Sequence, residues 1–113
     1  MSTCLFCKIA NKEIPASFVY EDEEIFAIND IEPKAPTHIL VIPKAHIASL
    51  DDATPAQLTL LGKIQLVAGK LAKENGLTTG YRLVNNCGHD GGQAVAHIHY
   101  HLLGGRKLQW PPG

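Results

Sequence analysis

The stretch that most constrains this chain is His97-Ile98-His99-Tyr100-His101-Leu102-Leu103, where histidine and apolar residues alternate strictly. A period of two is the period of an extended strand, whose successive side chains point to opposite faces. His97, His99 and His101 are therefore expected on one face, about 6.5–7 Å apart. Ile98, Tyr100 and Leu102 are expected on the other, packed into a core. Gly104-Gly105 ends the run. A row of imidazoles supports three readings. It can be a solvated strand face. It can be a metal site, with ring nitrogens from alternate residues meeting at one zinc. Or it can carry covalent catalysis, with one histidine as nucleophile and its neighbours as proton donors and orienters.

Length and charge narrow the setting. The 113 residues fit one compact domain, 1–113, with residues 104–113 as a C-terminal tail. A net charge of −1 supplies no basic field for nucleic acid or an anionic membrane. A phosphate-bearing ligand would have to be held by local groups. No apolar run reaches membrane-spanning length, and Met1-Ser2-Thr3-Cys4 carries no leader pattern. Three cysteines, an odd number, argue against a disulfide framework. The expected location is the cytoplasm.

Along the chain, Cys4–Asn11 reads as a short helix limited by Pro15. Its Cys4-x-x-Cys7 pair suits half a zinc site, a redox pair or two small buried hydrophobes. No second such pair exists, so zinc would need histidines from elsewhere. Residues 17–20 and 24–29 read as a hairpin around the acidic turn 21–23. Asp30 follows the second strand, where it could accept ribose hydroxyls or simply form a turn. Residues 37–42 hold four apolar residues in succession, the mark of a central strand buried on both faces. His38 opens that strand, and Pro43-Lys44-Ala45-His46 closes it.

Thr54-Pro55-Ala56-Gln57 is a capping-box start for the only long helix. Leu58, Leu61, Ile64, Ala68 and Leu71 recur at helical steps before Gly76 stops it. Leu60, Leu66 and Val67 widen the apolar face, which hints at a partner helix. Residues 80–86 read as a fourth strand. The glycine-rich loop Cys87-Gly88-His89-Asp90-Gly91-Gly92-Gln93-Ala94 then leads into the histidine row. Backbone amides in such a loop can meet an anion, although no Walker A lysine follows. The tail holds the only tryptophan, Trp110, and is expected to dock.

The run His97 to Leu103 followed by Gly104-Gly105-Arg106 resembles the motif of the histidine-triad (HIT) family, in its nucleotide-binding Hint branch. Thr37-His38, Val41-Ile42-Pro43-Lys44, Asp90-Gly91-Gly92-Gln93 and Trp110-Pro111-Pro112-Gly113 extend the match over almost the whole chain. The resemblance implies an α+β, HIT-like fold: a five-stranded antiparallel sheet with one short and one long helix, paired into a homodimer with a ten-stranded sheet. It implies cleavage of purine nucleoside 5′-phosphoramidates or acyl-adenylates (AMP or GMP type) by a hydrolase. His99 would be the nucleophile, passing through a nucleotidyl-imidazole. His101 would handle charge and a proton, His97 would orient His99, and His38 would join the cluster. Asn86, Gly92, Gln93 and the Ala94 position would line the phosphate. Asp30 would hold the ribose, and Phe6, Ile9 and Ile31 the purine.

No cofactor is needed for that chemistry. Two departures stand out: the family pattern usually has a hydroxyl residue at the Ala94 position, and it has no fixed histidine at His89. The resemblance also offers Cys4, Cys7, His46 and His97 as a structural zinc set. The alternative is two buried thiols. A dinucleoside polyphosphate hydrolase and a non-catalytic nucleotide-sensing module are the competing functions.

Overall fold

The computed structural model describes residues 3–113. Met1 and Ser2, part of the stretch read for a leader pattern, lie outside the described residues. Helix α1 spans Leu5–Ala10, with Cys4 at its N-cap and its sulfur accepting the Cys7 N–H. Strands β1 (Phe18–Glu21) and β2 (Ile25–Asn29) form the expected hairpin. Asp22 builds its turn by accepting the Glu24 and Ile25 N–H groups. Strand β3 (Thr37–Pro43) follows, then two 3-10 turns, helix α2 (Leu58–Glu74), β4 (Tyr81–Asn85) and β5 (Tyr100–Gly104). The five strands make one antiparallel sheet in the order β1-β2-β3-β5-β4. Among the described residues no helix is long and apolar enough to cross a membrane.

Strand β3 is central, as its unbroken apolar run predicts, and is buried from His38 to Pro43. On one side of the sheet α2 lays down Ile64, Val67, Ala68, Leu71 and Ala72 against Ile25, Ile39, Val41, Ile98, Tyr100 and Leu102. Full burial of an Ile or Leu side chain contributes about 1.5–3 kcal/mol, so Ile64 and Leu71 outweigh any propensity of α2 itself. On the other side α1 brings Phe6 and Ile9 onto Phe26, Leu40 and Ile42.

Two expectations shift. The capping box forms as read, with Thr54 and Gln57 satisfying each other's backbone, but it caps a 3-10 turn, Pro55–Gln57. Helix α2 starts only after it, and Leu58, expected on the buried stripe, faces solvent. The histidine row begins before its strand. In the β3–β5 register Val41 pairs with Tyr100, and the next bonded position would set Ile98 against Pro43. Proline has no N–H to give. The ladder stops there, and the Ile98 N–H bonds the Ile47 carbonyl instead. At the far end of β5, Gly105 has φ +91°, and a Cβ on it would lie 2.9 Å from the Pro36 Cβ.

Candidate functional site

Although only part of the row is strand, its alternation survives. Ile98, Tyr100 and Leu102 enter the α2 core. The three histidines turn to the opposite side, the side covered by α1, where His97 and His99 are buried and His101 half-buried. They do not form an open row. The Phe6 ring meets the rings of His97 and His99 edge-on, with centroids 5.7 and 5.1 Å away. The row is thereby divided into two chemical neighbourhoods.

The first is a thiol–imidazole cluster. Cys4, Cys7, His46 and His97 present Sγ and Nδ1 atoms that all lie within 4.8 Å of one another. Cys4 Sγ is 3.3 Å from His97 Nδ1, and Cys7 Sγ is 3.3 Å from His46 Nδ1 and 3.5 Å from His97 Nδ1. The two Nδ1 atoms are 3.2 Å apart. With zinc–sulfur bonds near 2.3 Å and zinc–nitrogen bonds near 2.0–2.1 Å, a tetrahedral site has edges of about 3.3–3.8 Å. The cluster has that size. His97 also shows the partner pattern of a metal ligand: its Nε2–H donates to the Pro43 carbonyl at 2.8 Å, leaving the Nδ1 lone pair toward the thiols. Burial holds the His97 ring below the usual imidazole range. The donor set and spacing fit a structural zinc.

The second neighbourhood contains His99, His101, His38 and Asp30. His99 Nδ1–H donates to the His97 carbonyl at 2.7 Å. That bond fixes the tautomer, so the Nε2 lone pair is the one open to an electrophile. Asn85, which sequence reasoning passed over in favour of Asn86, donates its Nδ2–H to the His99 carbonyl at 3.0 Å. The backbone on either side of the His99 ring is thus held. The His101 ring lies 5.1 Å from that of His99.

His38 joins across the sheet. The Lys34 N–H donates to His38 Nδ1 at 3.0 Å, so neutral His38 carries its proton on Nε2. That Nε2 is 2.9 Å from His101 Nδ1 and 3.4 Å from Asp30 Oδ2. His101 accepts there and therefore carries its own proton on Nε2. Burial lowers the His101 pKa to about 4, helped by His99 and His38 and opposed by Asp30. Burial also lowers that of His38, against the pull of Asp30. A chain of N–H groups runs from the Lys34 amide to His101 Nε2.

Asp30, Ile31, His38, Val84, Asn86, His101 and Pro112 line one cavity of about 440 Å³. The structure thus brings Asp30, Ile31 and Asn86 to the histidines. Ile31 is 95% exposed, whereas Phe6 and Ile9, expected to share its purine-facing task, are buried on the sheet-facing side of α1. The tail reaches the same cavity through Pro112, while the Trp110 ring stays exposed. Arg82 and Arg106 hold the tail and its turn through the Gln109 and Lys34 carbonyls.

Gly92 and Gln93 are placed differently from a simple anion cradle. Their N–H groups donate to His89 and Gly88 carbonyls of their own loop. The Gln93 side chain accepts the Gly88 N–H and donates to the Ala48 and Val95 carbonyls. Gln93 therefore holds the loop in shape. Ala94 lines a separate opening with Thr3, Cys4 and His46. His89 is fully solvated beside Asp90.

A five-stranded antiparallel sheet that delivers three alternating histidines beneath a short N-terminal helix defines the histidine-triad class of domain. Comparison agrees. Residues 3–109 match the family model described as "Scavenger mRNA decapping enzyme C-term binding". The chain is 51% identical to the 14 kDa zinc-binding protein of Zea mays, over 99% of this chain and 89% of that one. A HIT family hydrolase from Legionella pneumophila superposes with TM-score 0.96 at 56% identity, covering 98% of this chain and 100% of that one. A histidine triad nucleotide-binding protein from Candida albicans gives TM-score 0.81 at 34% identity, with 96% and 83% covered. The protein belongs to the histidine-triad (HIT) family.

Proposed function

We propose that the protein is a nucleotide-binding hydrolase that cleaves purine nucleoside 5′-phosphoramidates and acyl-adenylates through a covalent bond to His99. One observation carries the reading: the Nδ1–H of His99 is held on the His97 carbonyl, which leaves the ring's lone pair on the opposite nitrogen to act as nucleophile. That nitrogen attacks the α-phosphorus. The positive charge developing on the imidazole rests on the His97 carbonyl, and His101 serves the leaving group. Water then splits the phosphorus–nitrogen bond to His99. Asp30 and Asn86, in the same cavity, hold ribose and phosphate. Cys4, Cys7, His46 and His97 hold a structural zinc that fastens α1 to the sheet; the relative named for zinc binding supports this. The Legionella and Candida relatives support hydrolysis and nucleotide binding in the same way.

The test is release of a fluorescent amine from an adenosine 5′-phosphoramidate by the purified protein. Steady release is expected. No release with an acyl-adenylate or a phosphoramidate, beside cleavage of a dinucleoside polyphosphate, would move the assignment to that hydrolase class.

The working form is a homodimer. Leu66, 78% exposed on α2, stands beside Gly69 and Tyr81, so the outer face of α2 runs into the edge strand β4 as one surface. Pairing β4 with its copy would extend the sheet and cover both. Leu66→Glu is expected to halve the mass seen by analytical ultracentrifugation at micromolar concentration. A wild-type chain that sediments as a monomer would refute the dimer.

A further inference from the structure

We propose that Asp30 has a second task beyond holding ribose: its carboxylate is the charge partner that favours an added, transferable proton on the His38–His101 pair, so that the site can expel poor leaving groups. The inference rests on the reading of function above and deepens it.

The geometry is specific. Asp30 sits at the end of β2, and its N–H bonds the His38 carbonyl. Its Oδ1 accepts the Glu32 N–H at 2.8 Å, which turns Oδ2 inward to within 3.4 Å of His38 Nε2. His38 Nε2 is in turn 2.9 Å from His101 Nδ1. His38 Nδ1 is already taken by the Lys34 N–H, so an added proton goes to His101 Nδ1, and the His38 Nε2–H it displaces turns to the Asp30 carboxylate. The same pattern removes the alternative of a metal held by Asp30, His38 and His101. His38 Nε2 is a donor there and has no lone pair to offer.

The charged and titratable neighbours set the sign. Around His101 stand His99, His38 and Asp30; around His38 stand Asp30 and Lys34. Glu32 lines the shared cavity at greater exposure. Burial, His99 and Lys34 all disfavour the extra proton, and Asp30 opposes them.

An alkylamine cannot leave phosphorus as an anion. In the first half-reaction the His99 Nε2–phosphorus bond forms and the phosphorus–nitrogen bond of the substrate breaks. The electron pair goes to the leaving nitrogen, with a proton from the His101 Nε2 end of the pair. In the second, water attacks phosphorus, its proton returns to the pair, and the bond to His99 opens. A leaving group that departs readily as an anion, such as a nitrophenolate, needs no such proton. Asp30 should therefore matter to kcat for the first kind of substrate alone, and to KM for both through ribose.

Asp30→Asn is the test, since it keeps the shape and the Glu32 bond while removing the charge. Imidazole ¹⁵N resonances of the protein would give the titration midpoint of the pair. Asp30→Asn should lower it by about one unit, and Lys34→Gln, which keeps the backbone N–H, should raise it. At pH 7 Asp30→Asn should lower kcat about tenfold for an adenosine alkylphosphoramidate and leave kcat for the nitrophenyl ester of AMP within twofold. KM should rise for both. An unmoved midpoint with equal losses on the two substrates would overturn the proposal and leave Asp30 a ribose clamp. If the wild type turns over neither substrate, the functional reading fails, and the two titrations still decide whether Asp30 charges the pair.

Discussion

His99→Ala is expected to abolish turnover of an adenosine phosphoramidate while nucleotide binding survives. The expected loss in kcat/KM is at least about a thousandfold, or roughly 4 kcal/mol. The size follows from what the side chain does. On the proposed route His99 splits displacement into two steps, each with a nucleophile or leaving group suited to phosphorus. Without it, water must attack directly, and the His38–His101 pair cannot give the leaving group its proton and take one from that water in the same step. Binding survives because Asp30 and Asn86 reach the cavity from other segments. The cost to the fold is limited, since the ring packs edge-on against Phe6 and leaves a hole beside it rather than an unpaired charge. Mass spectrometry of wild-type protein quenched during turnover should find one added nucleotidyl group per chain, and the variant none. Retained cleavage in His99→Ala would refute the covalent route. A variant that loses nucleotide binding along with turnover would show that His99 serves binding first. His101→Ala, by contrast, should fall most for alkylamine substrates, because its task is the proton.

Much of this site could be read from residue order alone, for a definable reason. Side-chain alternation needs only extended backbone. The period of two therefore sorted Ile98, Tyr100 and Leu102 from the three histidines even where Pro43 forbids the ladder. Strand β3 and the capping box were legible because their signals are local. Leu58 leaves the stripe because two successive three-residue steps carry it about 120° around α2 from the buried Ile64.

What lay beyond the sequence depends on register. His38 pairs with Leu103, and Leu40 with His101, so the His38–His101 bond is a diagonal cross-strand contact that no spacing along the chain encodes. The Lys34 amide, the Pro43 carbonyl and the Asn85 side chain are set by the same three-dimensional bookkeeping. The Gly92-Gln93 segment looked like an anion cradle because glycines permit one. Permission is not use, and the loop's own carbonyls take those amides.

Removing metal should unfasten α1, and this is the largest stability effect expected of the molecule. Cys7 is the sensitive position. It is buried, and its sulfur reaches both Nδ1 atoms. If Cys4 and Cys7 were only packed thiols, Cys7→Ala would remove one sulfur from a small pocket. That would cost on the order of 1 kcal/mol, a few degrees in Tm. If they hold zinc, the change removes a ligand from a closed site whose binding energy is folding energy. A loss of about 3 kcal/mol then lowers Tm by roughly 10–15 °C for a chain of this length. Metal analysis should find one zinc per chain in wild type and in His99→Ala, and none in Cys7→Ala. Calorimetry should show a strong chelator lowering the wild-type Tm toward that of Cys7→Ala and leaving the variant unmoved. A wild-type protein purified without zinc, and indifferent to chelator and added zinc alike, would reduce the cluster to buried thiols. The effect should also reach the chemistry. His97 offers its ring to the cluster and its carbonyl to His99, so a displaced His97 leaves the nucleophile without the bond that fixes its tautomer. Loss of zinc is thus expected to lower kcat in step with the loss of α1 signals in circular dichroism, though no ligand atom of the zinc set belongs to His99.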